Sequence, residues 1–409
     1  MNLIGNQSIS EGFKQTDVGV IPNDWEVKEI SKAFEICNTL RFPLSAKVRE
    51  SMTGEYPYYG PTKIQGYINE YRIDGEYALI GEDGDHFLKF ETVPQTQLAR
   101  GKFNVNNHAH VIKGKVASAE WFYLFFKHRE ITNHLSRQGA GRYKLNKATL
   151  EQLPCAIPSK EEQTAIANVL SDVDALLTEL ENLIAKKQAI KTATMQQLLT
   201  GKTRLPLFAN HTEVAVEGKS KGTKPSELGE IPEDWEVGKL NDVCFSFKTG
   251  KLDANAMKKD GEYRFYTCAR EHYYIDNYAF DTEALLVSGN GANVGYVHYF
   301  KGKFNAYQRT YVLSKFNADA KYLKIYLEEK LAERIRVEVN SGNMPYITMD
   351  TLTDMLIALP PKDEQTAIAT ILSDMDNEIQ TLEQRLAKTR QIKQGMMQQL
   401  LTGRTRLPY

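Results

Sequence analysis

The residues whose type and spacing could carry chemistry are few, and each is undercut by its surroundings. The run GNGANVG from Gly289 imitates a cofactor-binding glycine loop. Strand-like sequence on both sides of it predicts a hairpin instead of the strand-to-helix turn such a loop requires. Gly201-Lys202-Thr203 ends like a phosphate loop but lacks the upstream glycine and falls at a helix end. Glu328-Glu329-Lys330 looks like the tail of a nuclease carboxylate–lysine motif, yet it sits in a helical stretch with no well-placed strand aspartate. The chain has only eight histidines, and His108 with His110 has no third ligand nearby in sequence. Cys37, Cys155, Cys244 and Cys268 stand apart with no C-x-x-C pair. Neither a zinc site nor a disulfide framework is expected, and a reducing cytoplasm is the natural setting. No Asn/Asp-Pro-Pro-aromatic tetrapeptide is present for amino-methylation. The expectation is therefore a chain with no catalytic, metal or cofactor-binding residues of its own.

What remains are groups suited to recognition. Between Glu91 and Glu120 there is no acidic residue, while Arg100, Lys102, Lys113 and Lys115 occur with His108 and His110. From Ala284 to Ala318 the pattern recurs with Lys301, Lys303, Arg309 and Lys315. A third stretch, SRQGAGRYKLNK, carries Arg137, Arg142, Lys144 and Lys147, and NSGNMPYITMD stands at its counterpart later in the chain. Gly-rich loops bearing Arg, Lys, Gln and Asn can approach a phosphate backbone and hydrogen-bond base edges. The formal net charge of −1 neither supports nor opposes a nucleic-acid partner, because a basic groove can sit on a neutral protein.

The elements that must position these groups are repeated. DVGVIPNDWEV from Asp17 matches ELGEIPEDWEV from Glu227. AIPSKEEQTAIANVLSDVD from Ala156 matches ALPPKDEQTAIATILSDMD from Ala358. That second match runs without a gap to MQQLLTGKTRLP and MQQLLTGRTRLP. Between them GKFNVNNHAHVI from Gly101 echoes GKFNAYQRTYVL from Gly302. Three matched segments in one order make the chain two copies of one plan, a globular part followed by a helical part. Length agrees, since 409 residues exceed the usual single-domain range. Hydrophobic content of 42% is that of folded globular domains. The chain has no apolar run of about 18 residues, so no membrane span is expected.

In the helical parts, Ile166, Leu170, Val173, Leu177, Leu180 and Ile184 recur at spacings of four and three, as do Ile368, Leu372, Met375, Ile379, Leu382 and Leu386. This is the seam of a coiled coil. A helix of about 40 residues, on the order of 60 Å long, needs a partner of equal length. The other copy supplies one, and an antiparallel intramolecular pair is favoured over pairing between two chains. The globular parts read as short strands and hairpins, each followed by one helix, near Ala119–His134 and Ala320–Arg336. Trp25 and Trp235 are expected to anchor an opening strand by a buried indole. The helix ends, MQQLLTG-[KR]-TRLP, are more alike than packing demands. A shared partner surface and a recent duplication both explain that.

These motifs resemble the specificity subunits of type I restriction-modification systems. The resemblance rests on the IP-x-DWEV starts, the GKFN…V segments and the two P-x-x-x-EQ-x-x-I-A…LSD-x-D helices ending in MQQLLTG-[KR]-TRLP. It implies an α+β chain of two mixed α/β target recognition domains separated by two long helices in an antiparallel coiled coil, with a pseudo-twofold internal repeat. The divisions expected are 1–157 and 227–360 for the recognition domains, 158–204 and 361–409 for the helices, and 205–226 for a linker. It further implies recognition of a bipartite, asymmetric double-stranded DNA target and docking of two methyltransferase subunits, and through them restriction subunits. S-adenosylmethionine, ATP and Mg would then be bound by partners. For DNA contact the residue types favour Lys63, Gln65, Arg142 and Lys144 in the first copy, and Asn290, Asn293, Arg309 and Asn343 in the second. For partner docking they favour Gln196, Gln197, Leu198, Gln398, Gln399 and Leu400. A free-standing bipartite DNA-binding regulator is the alternative reading.

Overall fold

Continuous apolar runs lay down the centre of each sheet. Ala78-Leu79-Ile80 and Ala284-Leu285-Leu286-Val287 are fully buried, as such a run demands when both faces of a strand are covered. The computed structural model describes residues 11–138, 142–210, 221–338 and 345–408. The chain falls into two units, one of residues 1–181 with 385–409 and the other of residues 182–384.

In unit 1 the sheet strands are β1 (Phe34–Ile36), β2 (Thr53–Tyr59), β3 (Ile64–Ile68), β4 (Ile73–Gly81), β5 (Thr96–Val105) and β6 (Ala109–Gly114), in the order β1-β6-β4-β5-β2-β3. In unit 2 they are β7 (Cys244–Thr249), β8 (Tyr263–Tyr266), β9 (Tyr273–Ile275), β10 (Phe280–Ser288), β11 (Val297–Ala306) and β12 (Thr310–Phe316), in the order β7-β12-β10-β11-β8-β9. The topology is the same, down to the parallel pairs β2–β5 and β8–β11 inside otherwise antiparallel sheets. Short two-stranded ribbons complete each unit, among them Glu26–Glu29 with Pro154–Ile157 and Glu236–Lys239 with Leu356–Leu359.

Helix α1 (Ala119–Phe126) begins at Ser118, whose hydroxyl accepts from Trp121 N at 3.0 Å. It buries Trp121, Phe122, Phe125 and Phe126. It is shorter than the periodicity suggested, giving way to a turn at Thr132–His134. Its counterpart is α3 (Ala320–Glu338). The segment 205–226 is not wholly a linker, because Thr223–Ser226 pairs with Gly229–Pro232 as the first hairpin of unit 2.

The long helices are α2 (Lys160–Leu199) and α4 (Lys362–Leu400). Each gives one stretch to each unit. In unit 1, Lys393 pairs with Asp174 and Arg390 with Glu181. In unit 2, Lys187 pairs with Glu378 and Lys191 with Asp376. Within each unit one number rises as the other falls, so the stretches run antiparallel. The expected seam positions are all buried or half-buried, with Ile166 and Leu170 joining the core under the first sheet and Ile368 and Leu372 that under the second.

The repeated motifs meet in one clasp per unit. In unit 2, Trp235 Nε1 donates to Glu364 Oε2 at 3.1 Å. Arg204 grips that carboxylate at 2.6 and 2.7 Å and reaches Asp234 at 2.8 and 3.2 Å. In unit 1, Trp25 Nε1 donates to Glu162 Oε2 at 2.9 Å, and Arg406 bridges Glu162 and Asp24. The neighbouring glutamines work alike. Gln163 accepts from Ser118 N and donates to Pro158 O, and Gln365 accepts from Asp319 N and donates to Pro360 O. Gly201 and Gly403 turn the chain at φ of +67° and +68°, where an added Cβ would lie 2.4 Å from the rings of Pro232 and Pro22. Glycine alone admits both that φ and that approach. The likeness of the two helix ends therefore has an internal cause: each docks on a Pro–Trp surface of the same design. Leu198 and Leu400 are 4% and 3% exposed in these cores, so neither side chain is open to a partner, a correction to their assignment. Gln196, Gln197, Gln398 and Gln399 are exposed.

Candidate nucleic-acid interface

The lysines and arginine on the strands of the acid-free stretches face acids across the sheet. Sheet register sets Lys102 opposite Asp74 and Arg100 opposite Glu76, and likewise Lys303 opposite Asp281 and Lys301 opposite Glu283. Arg100 is ion-paired with both Glu76 and Glu120. At these strand positions the neighbouring strand supplies the acids that the run itself lacks, because cross-strand partners come from distant sequence.

The exposed polar groups gather instead on the loops at one end of each sheet. In unit 1 these follow β2, β4 and β5. Glu82 N donates to His108 O at 2.8 Å, Leu145 N to Glu82 O at 2.8 Å, and Asn106 N to Tyr59 O at 3.0 Å. Unit 2 repeats the pattern: Gly289 N to Arg309 O at 2.9 Å, Ile347 N to Gly289 O at 2.9 Å, and Tyr307 N to Tyr266 O at 2.9 Å. An isolated antiparallel bridge joins Asp83 to Lys144 in one unit and Asn290 to Tyr346 in the other. Asp83 and Asn290 thus hold one backbone position, His108 and Arg309 a second, and Lys144 and Tyr346 a third. The framework is common and the side chains differ.

In unit 1 the loops are knitted by charge. Arg41 donates to Glu82 Oε2 at 2.8 Å, to Asn107 O at 2.8 Å and to His110 Nδ1 at 3.1 Å. His110 is buried, and its Nε2 donates to Leu145 O at 2.7 Å. Burial lowers its pKa, favouring the neutral ring that can accept at Nδ1. Lys144 Nζ lies 3.6 Å from Glu82, so it braces the loop from the other side. Asp83 is hydrogen-bonded to the half-exposed His108 at 3.0 Å. Gln65 Oε1 accepts from Asn106 at 3.1 Å, while Lys63 stands exposed on the adjoining turn.

In unit 2 amides and a thiol do the bracing. Asn293 donates to Cys268 O at 3.0 Å and accepts from Arg270 Nε at 3.4 Å. The Cys268 thiol is 3.2 Å from Asn290 Oδ1 and 3.4 Å from Arg309 O. Arg309 and Arg270 are exposed. GNGANVG is the connection between antiparallel β10 and β11, a hairpin.

The chain matches a family model described as the type I restriction modification DNA specificity domain twice, over residues 22–192 and 232–391. The chain belongs to that family. Specificity subunits of this kind recognise DNA and are not catalytic. A putative MjaX specificity subunit from Methanocaldococcus jannaschii is 28% identical over 435 residues, spanning 97% of both chains. The EcoDI specificity subunit of Escherichia coli is 37% identical over 174 residues, 42% of this chain and 38% of that protein. A crystal structure of the type I restriction-modification S subunit from M. genitalium superposes with a TM-score of 0.60 at 16% identity, covering 95% of this chain and 97% of that one. It shares the fold.

In this specificity subunit the structure brings together Gln65, Lys144 and the turn of Lys63 in unit 1, and Asn290, Asn293 and Arg309 in unit 2. Arg142 enters through its backbone, paired with Gln138. Asn343 lies outside the described residues. Sequence reasoning missed Arg41, Glu82, Asp83 and Arg270. Arg270 was findable as an unmatched basic residue following a strand, whereas Arg41 is tied to the site only by contacts to residues far along the chain.

Proposed function

We propose that this chain is the specificity subunit of a type I restriction-modification complex that recognises a bipartite, asymmetric DNA target, one half per unit. The observation that carries this reading is the common loop framework with different side chains at its equivalent positions. One backbone design then presents two different sets of base-reading groups to two half-sites. In unit 1 the contacts are Lys63, Gln65, Arg142, Lys144 and the Asp83–His108 pair. In unit 2 they are Asn290, Arg309 and Asn343, with Asn293 positioning the loop.

Two methyltransferase subunits dock on surfaces that recur. Gln196 and Gln398, Gln197 and Gln399, and the isoleucines Ile190 and Ile392, 42% and 50% exposed, repeat at equivalent positions on the two helices. Equivalent exposed groups suit two identical partners. S-adenosylmethionine belongs to those partners, and ATP and Mg to the restriction subunits they recruit.

The test is co-expression with the methyltransferase encoded beside this gene, followed by mass measurement of the complex and methylome sequencing of the host. A two-to-one complex with adenine methylation at a split, asymmetric motif is expected. A chain that stays alone, in a genome with no split methylated motif, overturns the proposal.

A further inference from the structure

The two sets of loops differ in charge as well as in side chain. In unit 1 the two carboxylates that follow β4 directly have internal cation or histidine partners: Glu82 with Arg41 and Lys144, Asp83 with His108. In unit 2 neither Arg270 nor Arg309 is paired with a carboxylate among the described residues. Both are exposed, and both are tied to one chain of hydrogen bonds that runs from Arg270 Nε to the Asn293 amide, on to Cys268, and from the Cys268 thiol to Arg309 O. That chain holds the Arg270 guanidinium by its Nε and anchors Arg309 through its backbone carbonyl, so the Arg309 side chain projects from a fixed backbone position. A planar guanidinium held this way matches the paired O6 and N7 acceptors of guanine in the major groove. A phosphate contact needs no such fixing, because it carries no sequence information.

We infer that the half-site read by unit 2 contains guanine, and that Arg270 and Arg309 read it while Asn293 and Cys268 position them. The inference rests on the proposal that these loops face DNA.

The experiment selects duplexes from a library with two randomised half-sites, using the full chain with its methyltransferase partner at fixed salt. Wild type is compared with Arg270→Ala, Arg309→Ala and Arg309→Lys. The expected result is a guanine enriched in one half by wild type. Either alanine variant should lower that preference about 5- to 150-fold and leave the other half unaltered. Arg309→Lys should keep more of the overall affinity than of the guanine preference. A uniform loss over all sequences, with a shallower salt dependence, would mark both arginines as phosphate contacts and overturn the inference. So would unchanged preferences in both halves. In either case a split motif in the wild-type selection leaves the proposed function standing. A wild type that selects no split motif overturns the DNA-facing reading and the inference with it. Thermal unfolding of each variant separates loss of reading from loss of fold.

Discussion

Two tryptophans, two glutamates and two arginines clasp the ends of the two long helices. Glu364 is 1% exposed, and Arg204 neutralises it from a side chain that is itself 9% exposed. Removing one partner of a buried ion pair strands the other charge in a poorly solvated site. Arg204→Ala should therefore destabilise unit 2 by about 3–5 kcal/mol in urea unfolding. Arg406→Ala should cost unit 1 less, because Arg406 is 36% exposed and water can reach the site. Equal effects would contradict this ranking. The clasp also has a pH signature. The Arg406 hydrogen bond holds the Asp24 carboxyl below its ordinary 3.8. Burial pushes Asp234 upward, but hydrogen bonds from Arg204 and Lys221 outweigh it and the net shift is downward. Carboxyls depressed in the folded state contribute stability that is complete above the unfolded value and lost as pH falls through the folded one. Unfolding free energy should drop below pH 3.8, and Asp234→Asn should flatten part of that drop.

At the scale of elements, legibility in sequence followed the range of the forces involved. The helices are set by local periodicity, so Ile166 through Ile184 and Ile368 through Leu386 reveal their seam directly. Sheet register is not local. The basic runs around Lys102 and Lys303 looked like a DNA surface because Asp74 and Asp281, their cross-strand partners, lie more than a strand away in sequence. The helix ends mislead for a similar reason. Leu198 and Leu400 recur because each fills a core, and Gln196 and Gln398 recur beside them on the exposed face. Leu198→Ala and Leu400→Ala should each cost about 2–5 kcal/mol of stability. Gln196→Ala and Gln398→Ala should change stability by no more than about 0.5 kcal/mol, while weakening capture of the methyltransferase in co-purification. Glutamine variants that destabilise the fold, or that retain full capture, would remove these positions from the docking surface.

The whole molecule carries a connectivity that neither repeat discloses alone. The repeat leads each long helix to be paired with the other copy, but it does not say which sheet each helix end closes. Unit 1 takes its helical partner, as expected, and also its clasp arginine from residues 385–409, at the opposite end of the chain from its sheet. Leu400, Met396, Met397, Leu401 and Leu407 pack in the core that holds Trp25 and Trp121. Unit 2 takes the same parts from residues 182–206, which precede its sheet. The motif pairs were visible in the sequence, but which copy of TRLP meets which copy of DWEV was not, since identical motifs leave the pairing undetermined. A chain ending at Gln384 should consequently fail where its sheet is intact. Without Arg406 the buried Glu162 side chain keeps, among the described residues, only the Trp25 hydrogen bond, and without Leu400 the first core is open. Hydrogen exchange on the truncated chain should show lost protection in β4, β5 and β6, with β10, β11 and β12 still protected, although the deletion removes residues that follow unit 2 in sequence. Protection lost first in β10 to β12 would mean that each unit is built from its own contiguous half after all.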